Sequence, residues 1–114
     1  MVCSRFWMKV MRSESVDILD RPMVSMLKEL GALDTVVNTL TRSVEAGLVE
    51  LSKVEDPDAL RHIFHRLKGA SMQAGALRLA AHMKRLEARE VALDLREVQA
   101  LWLEAQGAFS DVLR

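Results

Sequence analysis

Apolar residues recur every three to four positions along most of this chain, the spacing that places them on one face of an α-helix. Asp20 offers an N-cap and Pro22 suits a first turn, so a first bundle helix is predicted over about 22–30, ending at Gly31. A second helix is predicted over about 33–53. Its long apolar stripe comprises Leu33, Val36, Val37, Leu40, Val44, Leu48 and Leu51.

A third helix is predicted to begin at Asp56-Pro57-Asp58. Aspartate is a favoured N-cap, proline fits the first helical position, and acidic side chains suit a helix N-terminus. At about 100° per residue, His65, Gly69 and Met72 fall nearly opposite the apolar stripe of this helix. The imidazole of His65 is therefore predicted to point to solvent rather than into a core. The stripe comprises Leu60, Ile63, Phe64, Leu67, Ser71 and Ala74.

Two further stripes follow Gly75, which is either the end of the third helix or a functional residue. The first comprises Ala76, Leu79, Ala80, Met83 and Leu86. The second follows Asp94-x-x-Glu97, which resembles a capping box, and comprises Leu101, Trp102, Ala105, Ala108, Phe109 and Val112. No stretch alternates as a strand does, and no glycine-rich phosphate loop follows a strand.

Amphipathic helices joined by short connections predict an all-α fold, an antiparallel up-down four-helix bundle with an additional short N-terminal helix or linker. We assign residues 20–114 to the bundle and residues 1–19 to an N-terminal extension or linker. Residues 1–13 have basic side chains on one helical side and apolar ones on much of the other. This segment would pack on the end of the bundle, lie on a membrane surface, or belong to a linker from a longer protein. These three alternatives stay open.

Composition narrows the classes of partner. Half of the 114 residues are apolar, enough for one domain with a core, and sixteen acidic residues balance sixteen basic ones. A neutral chain does not favour a nucleic-acid partner. The single cysteine, Cys3, excludes an intramolecular disulfide and a cysteine-rich zinc site. A single cysteine fits a reducing cytoplasm. No apolar run approaches the roughly 18 to 20 residues that span a bilayer, so we expect a soluble chain for which membrane attachment is not favoured.

The candidate chemistry centres on His65. An exposed neutral imidazole is a competent nucleophile near neutral pH and can accept a phosphoryl group. Lys68 and Gly69 stand at i+3 and i+4, the offsets that a helical side chain can reach. Lys68 supplies a positive charge suited to phosphate, and Gly69 lets a second protein approach the ring. Glu87 lies on the flank of the stripe that runs from Ala76 to Leu86, and it is either a partner for a neighbouring histidine or a member of a surface ion pair.

Three short motifs identify a family resemblance. His65-Arg66-Leu67-Lys68-Gly69-Ala70-Ser71, then Gly75-Ala76-Leu77-Arg78-Leu79, then Leu86-Glu87, resemble the signature of histidine-containing phosphotransfer (HPt) domains of two-component phosphorelays. The similarity runs from about residue 18 to the C-terminus. The resemblance implies a four-helix bundle in which His65 is phosphorylated at Nε2. It also implies that Lys68 acts as the cation for phosphate, that Gly69 gives clearance for the partner protein, and that Glu87 on the next helix contacts Nδ1.

Other chemistries are disfavoured. A metal site at His62, His65 and His82 is not favoured, because the first two are only three residues apart without a nearby cysteine, and His82 is predicted off the core stripe of its helix. Ser71 has no evident base or oxyanion loop, so a hydrolase is not expected. The chain has no room for a nucleotide-binding domain, so it would need a phosphoryl donor.

Two functions remain. The first is a phosphorelay intermediate that takes a phosphoryl group from a receiver-domain aspartate and passes it to another receiver. His65 would be the phosphoacceptor, with Lys68, Gly69 and Glu87 around it, no cofactor on this chain, and a divalent ion on the receiver. The partners would be response-regulator receivers or a hybrid sensor kinase. The alternative is a binding module that docks a non-receiver partner on the same face without obligatory phosphotransfer.

Overall fold

The computed structural model describes residues 16–114, and this part of the chain is all-helical. The prediction of an all-α fold is confirmed. The predictions for residues 1–13 lie outside the described residues, and the division into residues 1–19 and 20–114 stays a prediction. The five helices are α1 (Arg21–Glu29), α2 (Leu33–Leu51), α3 (Pro57–Ala74), α4 (Leu77–Glu87) and α5 (Leu95–Leu113).

Helices α2 to α5 form the four-helix bundle. Helix α2 packs against α3 and α5, and α4 packs against the same two helices, so the four close into a ring. Neighbouring helices are antiparallel. Connections of only five, two and seven residues (52–56, 75–76 and 88–94) reverse the chain between successive helices. Ion pairs also join the helices, since Arg66 of α3 meets Glu50 of α2 and Arg78 of α4 meets Glu104 of α5.

The helix predicted over about 22–30 is present as α1. It joins one end of the ring, so the expectation that it is the first of the four bundle helices is wrong. With nine residues, α1 is only about 14 Å long and is too short to span the bundle. Its start is tied to the α3–α4 connection, because the Asp20 amide donates to the Gly75 carbonyl at 2.8 Å. Its other end is tied to α5, where Lys28 Nζ donates to the Val112 carbonyl at 2.6 Å.

The two aspartates predicted as helix caps before α3 and α5 act as caps. Asp56 accepts from the Ala59 amide at 3.1 Å, and Asp94 accepts from the Arg96 amide at 3.0 Å. Gly75 ends α3 with φ +77°, in the left-handed region that favours glycine. A Cβ there would also lie 3.2 Å from Val24 Cγ2. Of its two open interpretations, the structure supports the helix-ending one.

The predicted position of His82 is wrong. This side chain is 1 % exposed and lies between α4 and α5, where Nδ1 is 3.9 Å from Glu97 Oε1. The apolar stripe of α4 marks only part of its buried surface, since α4 packs against helices on two sides. A position beside the stripe is therefore buried as well.

Helices α2 and α3 approach closely at Gly47. A Cβ on Gly47 would lie 2.8 Å from Leu67 Cδ2, inside any normal contact distance. Leu67 is 1 % exposed and points into the bundle. His65 precedes it by two residues, or about 200° around the helix, and therefore faces outward.

Candidate functional site

His65 stands near the middle of α3 with its side chain 69 % exposed. The prediction that its imidazole points to solvent is confirmed. Its inward neighbours along the helix, Phe64 and Leu67, are both buried. The ring is thus carried on a rigid helix whose opposite face is fixed in the core.

Glu87 is the last residue of α4 and reaches His65 across the α3–α4 contact. Its Oε1 lies 3.0 Å from His65 Nδ1. Because α4 runs antiparallel to α3 and is only eleven residues long, its final turn ends beside the middle of α3. The Glu87 side chain is 20 % exposed, and the imidazole contacts one of its two carboxylate oxygens.

Lys68 occupies the second oxygen of the same carboxylate. Its Nζ lies 2.9 Å from Glu87 Oε2, and its side chain is 23 % exposed. The sequence places Lys68 beside His65 as a cation for phosphate, but in the structure its ammonium rests on Glu87. Glu87 thus bridges the two α3 side chains, and all three form one cluster.

Charge in this cluster acts on the pKa of Glu87. The nearby Lys68 ammonium lowers the pKa of this carboxyl below its ordinary value, and the contact with His65 lowers it further. Partial burial opposes both effects, because desolvation disfavours the charged form, but it does not outweigh them. Glu87 is therefore an anion at neutral pH.

An anionic Glu87 selects one tautomer of a neutral His65. A carboxylate only accepts hydrogen bonds, so the ring nitrogen that faces it, Nδ1, must carry the proton. The other nitrogen, Nε2, then holds the free electron pair of the ring. The cluster presents a nucleophilic nitrogen on an exposed side chain.

Gly69 leaves open space one turn beyond His65. A Cβ built on this residue meets nothing within 4 Å. Packing within residues 16–114 therefore gives no reason for a glycine in the interior of a helix, where it costs about 1 kcal/mol relative to alanine. One turn further on the same face, Met72 is 57 % exposed.

A comparison with known families decides the identification. The family model of the Hpt domain matches residues 24–111, which include α2 to α4, most of α5 and the whole His65 cluster. The chain belongs to the Hpt domain family. Hpt domains carry out histidine phosphotransfer in phosphorelays and interact with response-regulator receiver domains. Comparisons with curated proteins and with solved structures gave no significant match.

A groove of about 160 Å³ borders the histidine cluster of this Hpt domain on the Glu87 side. Two arginines line it, Arg61 and Arg89, and neither was among the predicted site residues. Arg61 stands four residues before His65, so helical spacing alone would have placed it on the same face. Arg89 follows the end of α4, and only the backbone conformation there brings it to the groove.

The three histidines of this Hpt domain do not form a metal site. His62 and His65 are exposed on α3, whereas His82 is buried between α4 and α5. Within residues 16–114, no group of three or more histidine, cysteine or acidic side chains is arranged to hold a metal ion. In the same range, no helix has both the length and the apolar character needed to cross a membrane.

Proposed function

We propose that this Hpt domain is a phosphorelay intermediate in which Nε2 of His65 accepts a phosphoryl group from the aspartate of one receiver domain and passes it to another. The observation that carries the proposal is the contact of Nδ1 with Glu87 on an exposed imidazole. It supports Nε2 as the reactive nitrogen, because that atom holds the electron pair and lies on the side of the ring away from Glu87.

The bonds formed and broken in the transfer balance without a cofactor on this chain. The electron pair of Nε2 attacks the phosphorus of the receiver's aspartyl phosphate, and the bond from phosphorus to the aspartate oxygen breaks to leave a free carboxylate. The phosphorylated ring keeps its Nδ1 proton and is cationic, so the anionic Glu87 stabilises it. In the return step, an aspartate carboxylate of the next receiver attacks the phosphorus, and the bond to Nε2 breaks.

Lys68 stabilises the charge that the phosphoryl group brings. Its ammonium rests on Glu87 before transfer, and its four-carbon stem lets it move to a phosphoryl oxygen one helical turn away. Gly69 supplies clearance for the receiver. The receiver supplies a divalent ion and much of the electrostatic stabilisation, since phosphoryl transfer depends chiefly on positioning and charge.

The donor is a response-regulator receiver or the receiver of a hybrid sensor kinase. The chain offers a single cysteine, Cys3, and so no intramolecular disulfide, which supports the reducing cytoplasm as the compartment of the reaction.

The alternative function, docking of a non-receiver partner without obligatory transfer, uses the same face of α3. It differs in having no need for the nucleophilic nitrogen.

The test is transfer from purified receiver domains of the same genome, each phosphorylated on its aspartate. We expect label on this chain that is acid-labile and base-stable, as a phosphohistidine is, and that mass spectrometry places on His65. Label on another residue, or stable receiver binding without any label, would contradict the proposal, and the second result would favour the docking alternative.

A further inference from the structure

Helices α3 and α4 end in the same way but with different residues. In each, a residue in the left-handed conformation donates its amide to the carbonyl three positions back, and the next residue donates to the carbonyl five positions back. At the end of α3 that residue is Gly75, with φ +77°. At the end of α4 it is Arg89, with φ +60°, the one non-glycine residue with positive φ within residues 16–114.

An arginine at this position carries a conformational cost that glycine avoids, because its Cβ disfavours the left-handed region. The backbone of α4 therefore gives no reason for arginine. The Arg89 side chain, however, lines the groove beside Glu87. A strained residue next to a functional cluster points to a use for its side chain.

Two positive charges line this groove without a counter-charge. Neither Arg61 nor Arg89 forms an ion pair with any residue in the range 16–114, and both are exposed. Glu87, the acidic side chain that lines the groove, already contacts Lys68 and His65. Glu90, which follows Arg89, lies 3.7 Å from Arg85. The groove is therefore bordered by net positive charge.

Between the arginines the groove is apolar. Phe64 and Leu86 are almost fully buried and form its floor, and Leu60 and Val91 flank them. A space of about 160 Å³ with such a lining suits an apolar side chain. Because Arg61 lies one helical turn from His65, an occupant of the groove would contact this chain directly beside the phosphoacceptor.

We propose that this groove is a docking site for the receiver domain, and that it binds an apolar receiver side chain flanked by carboxylates that Arg61 and Arg89 attract. The inference rests on the proposed function and adds to it a surface that selects among receivers. Charges at the rim of an interface raise the association rate and favour partners of opposite charge. Receivers with acidic groups beside the docking residue are thus preferred.

The experiment measures the affinity of Arg89 variants for the receiver that labels His65 fastest in the transfer assay. Arg89→Gly and Arg89→Asn remove the charge and suit the left-handed conformation. We expect each to raise the thermal unfolding midpoint and yet to weaken receiver binding about twofold to fivefold at low salt, with the difference shrinking as salt rises. Arg61→Ala should weaken binding similarly, and Arg89→Glu should weaken it more.

Arg114→Ala is the matched control, because this exposed arginine lies at the α1 end of the bundle, away from the groove. It should leave the affinity unchanged. Equal affinity of Arg89→Gly and the parent, or an equal loss in Arg114→Ala, would overturn the docking site. So would a changed lifetime of phosphorylated His65 in the absence of receiver, because Arg89 would then act on the phosphoryl group. If no receiver labels the parent chain, the proposed function fails; if one does and the Arg89 variants bind normally, only the groove assignment fails.

Discussion

His65 and His82 are placed alike and yet differ in what they can do. Each presents Nδ1 to a glutamate of the next helix, at 3.0 Å from Glu87 and 3.9 Å from Glu97. The His65 side chain is 69 % exposed, whereas that of His82 is 1 % exposed. A carboxylate beside one ring nitrogen is therefore not sufficient for a phosphoacceptor, because the other nitrogen must also be accessible to a second protein.

The surrounding helices account for this difference. Helix α3 buries one face and leaves the opposite face open around Gly69 and Met72. Helix α4 packs against both α3 and α5, which covers His82. The exposure of the two glutamates is reversed relative to that of their histidines, since the Glu87 side chain is 20 % exposed and the Glu97 side chain is 51 % exposed. The exposed histidine has the more enclosed carboxylate, so its orientation is better defined.

The largest expected effect comes from removing each histidine in turn. His65→Gln should abolish phosphate acceptance and leave helicity unchanged, because its side chain lies outside the core. His82→Gln should lower the free energy of unfolding by about 1 to 3 kcal/mol, as expected for disturbing a buried polar group, while each folded molecule still accepts phosphate. Labelling assays with circular dichroism test both, and His62→Gln is the exposed control. Label that survives His65→Gln but not His82→Gln would reverse the assignment.

Closing the open surface beside His65 should have the next largest effect. Gly69→Gln should slow transfer from a receiver by on the order of a hundredfold, because displacing reacting groups by about 1 Å has effects of that size. Gly69→Ala should slow transfer less and raise the free energy of unfolding by up to about 1 kcal/mol.

Transfer rates and denaturant unfolding are the measurements. Labelling by phosphoramidate, which needs no protein docking, gives the control for the nucleophile itself. A Gly69→Gln variant that transfers at the parent rate would show that accessibility is not what distinguishes the two histidines.

Removing the two carboxylates should separate their roles. Glu87→Ala should slow transfer by about tenfold, by analogy with the lower end of the losses seen when the carboxylate partner of a metal-binding histidine is removed. Glu97→Ala is the matched variant and should leave transfer unchanged, because the Glu97 carboxylate is exposed and lies 3.9 Å from a buried ring. Single-turnover transfer rates measure both. Equal losses would mean that Glu87 acts through the fold rather than on His65.

The smallest effect concerns the proton affinity of Glu87. Lys68 lowers the pKa of this carboxyl, so the ionised form and its contacts persist as pH falls below the ordinary glutamate pKa, and they are lost only as pH falls through the lowered value. Lys68→Ala should raise the pKa of Glu87 towards its ordinary value and move this loss to higher pH.

Carboxyl carbon NMR across a pH titration measures the shift. Arg66→Ala is the control, because Arg66 pairs with Glu50 on the other side of α3. If the pKa of Glu87 does not respond to Lys68→Ala, the ammonium does not rest on this carboxylate in solution.

Helix starts and the outward position of His65 follow from sequence because both depend on local rules. Asp56 and Asp94 cap the helices that they were predicted to cap. The 100° step between helical residues places His65 opposite Leu67 whatever surrounds them. The partner role of Glu87 was one of two open alternatives, and the distance to Nδ1 favours it over an unrelated surface pair.

Features that depend on two neighbouring helices did not follow from sequence. The apolar stripe of α4 identifies one buried face, so His82 was placed outside the core, although α5 covers it. The pairing of Lys68 with Glu87 depends on α4 ending beside the middle of α3, which spacing within one helix does not specify. Arg89 has no local signal, because arginine is not a residue that predicts a left-handed helix end.

The contact between Gly47 and Leu67 limits how closely α2 and α3 can pack. A side chain at position 47 would overlap the Leu67 side chain, so either Leu67 would have to change its rotamer or α3 would have to turn or move away from α2. Side chains lie about 6 Å from a helix axis, and a turn of about 10° therefore displaces them by about 1 Å. A turn of that size would carry the His65 ring away from Glu87 and change the direction of Nε2. A substitution at a glycine in another helix, on the buried side of α3, can thus change the direction in which the His65 ring faces solvent.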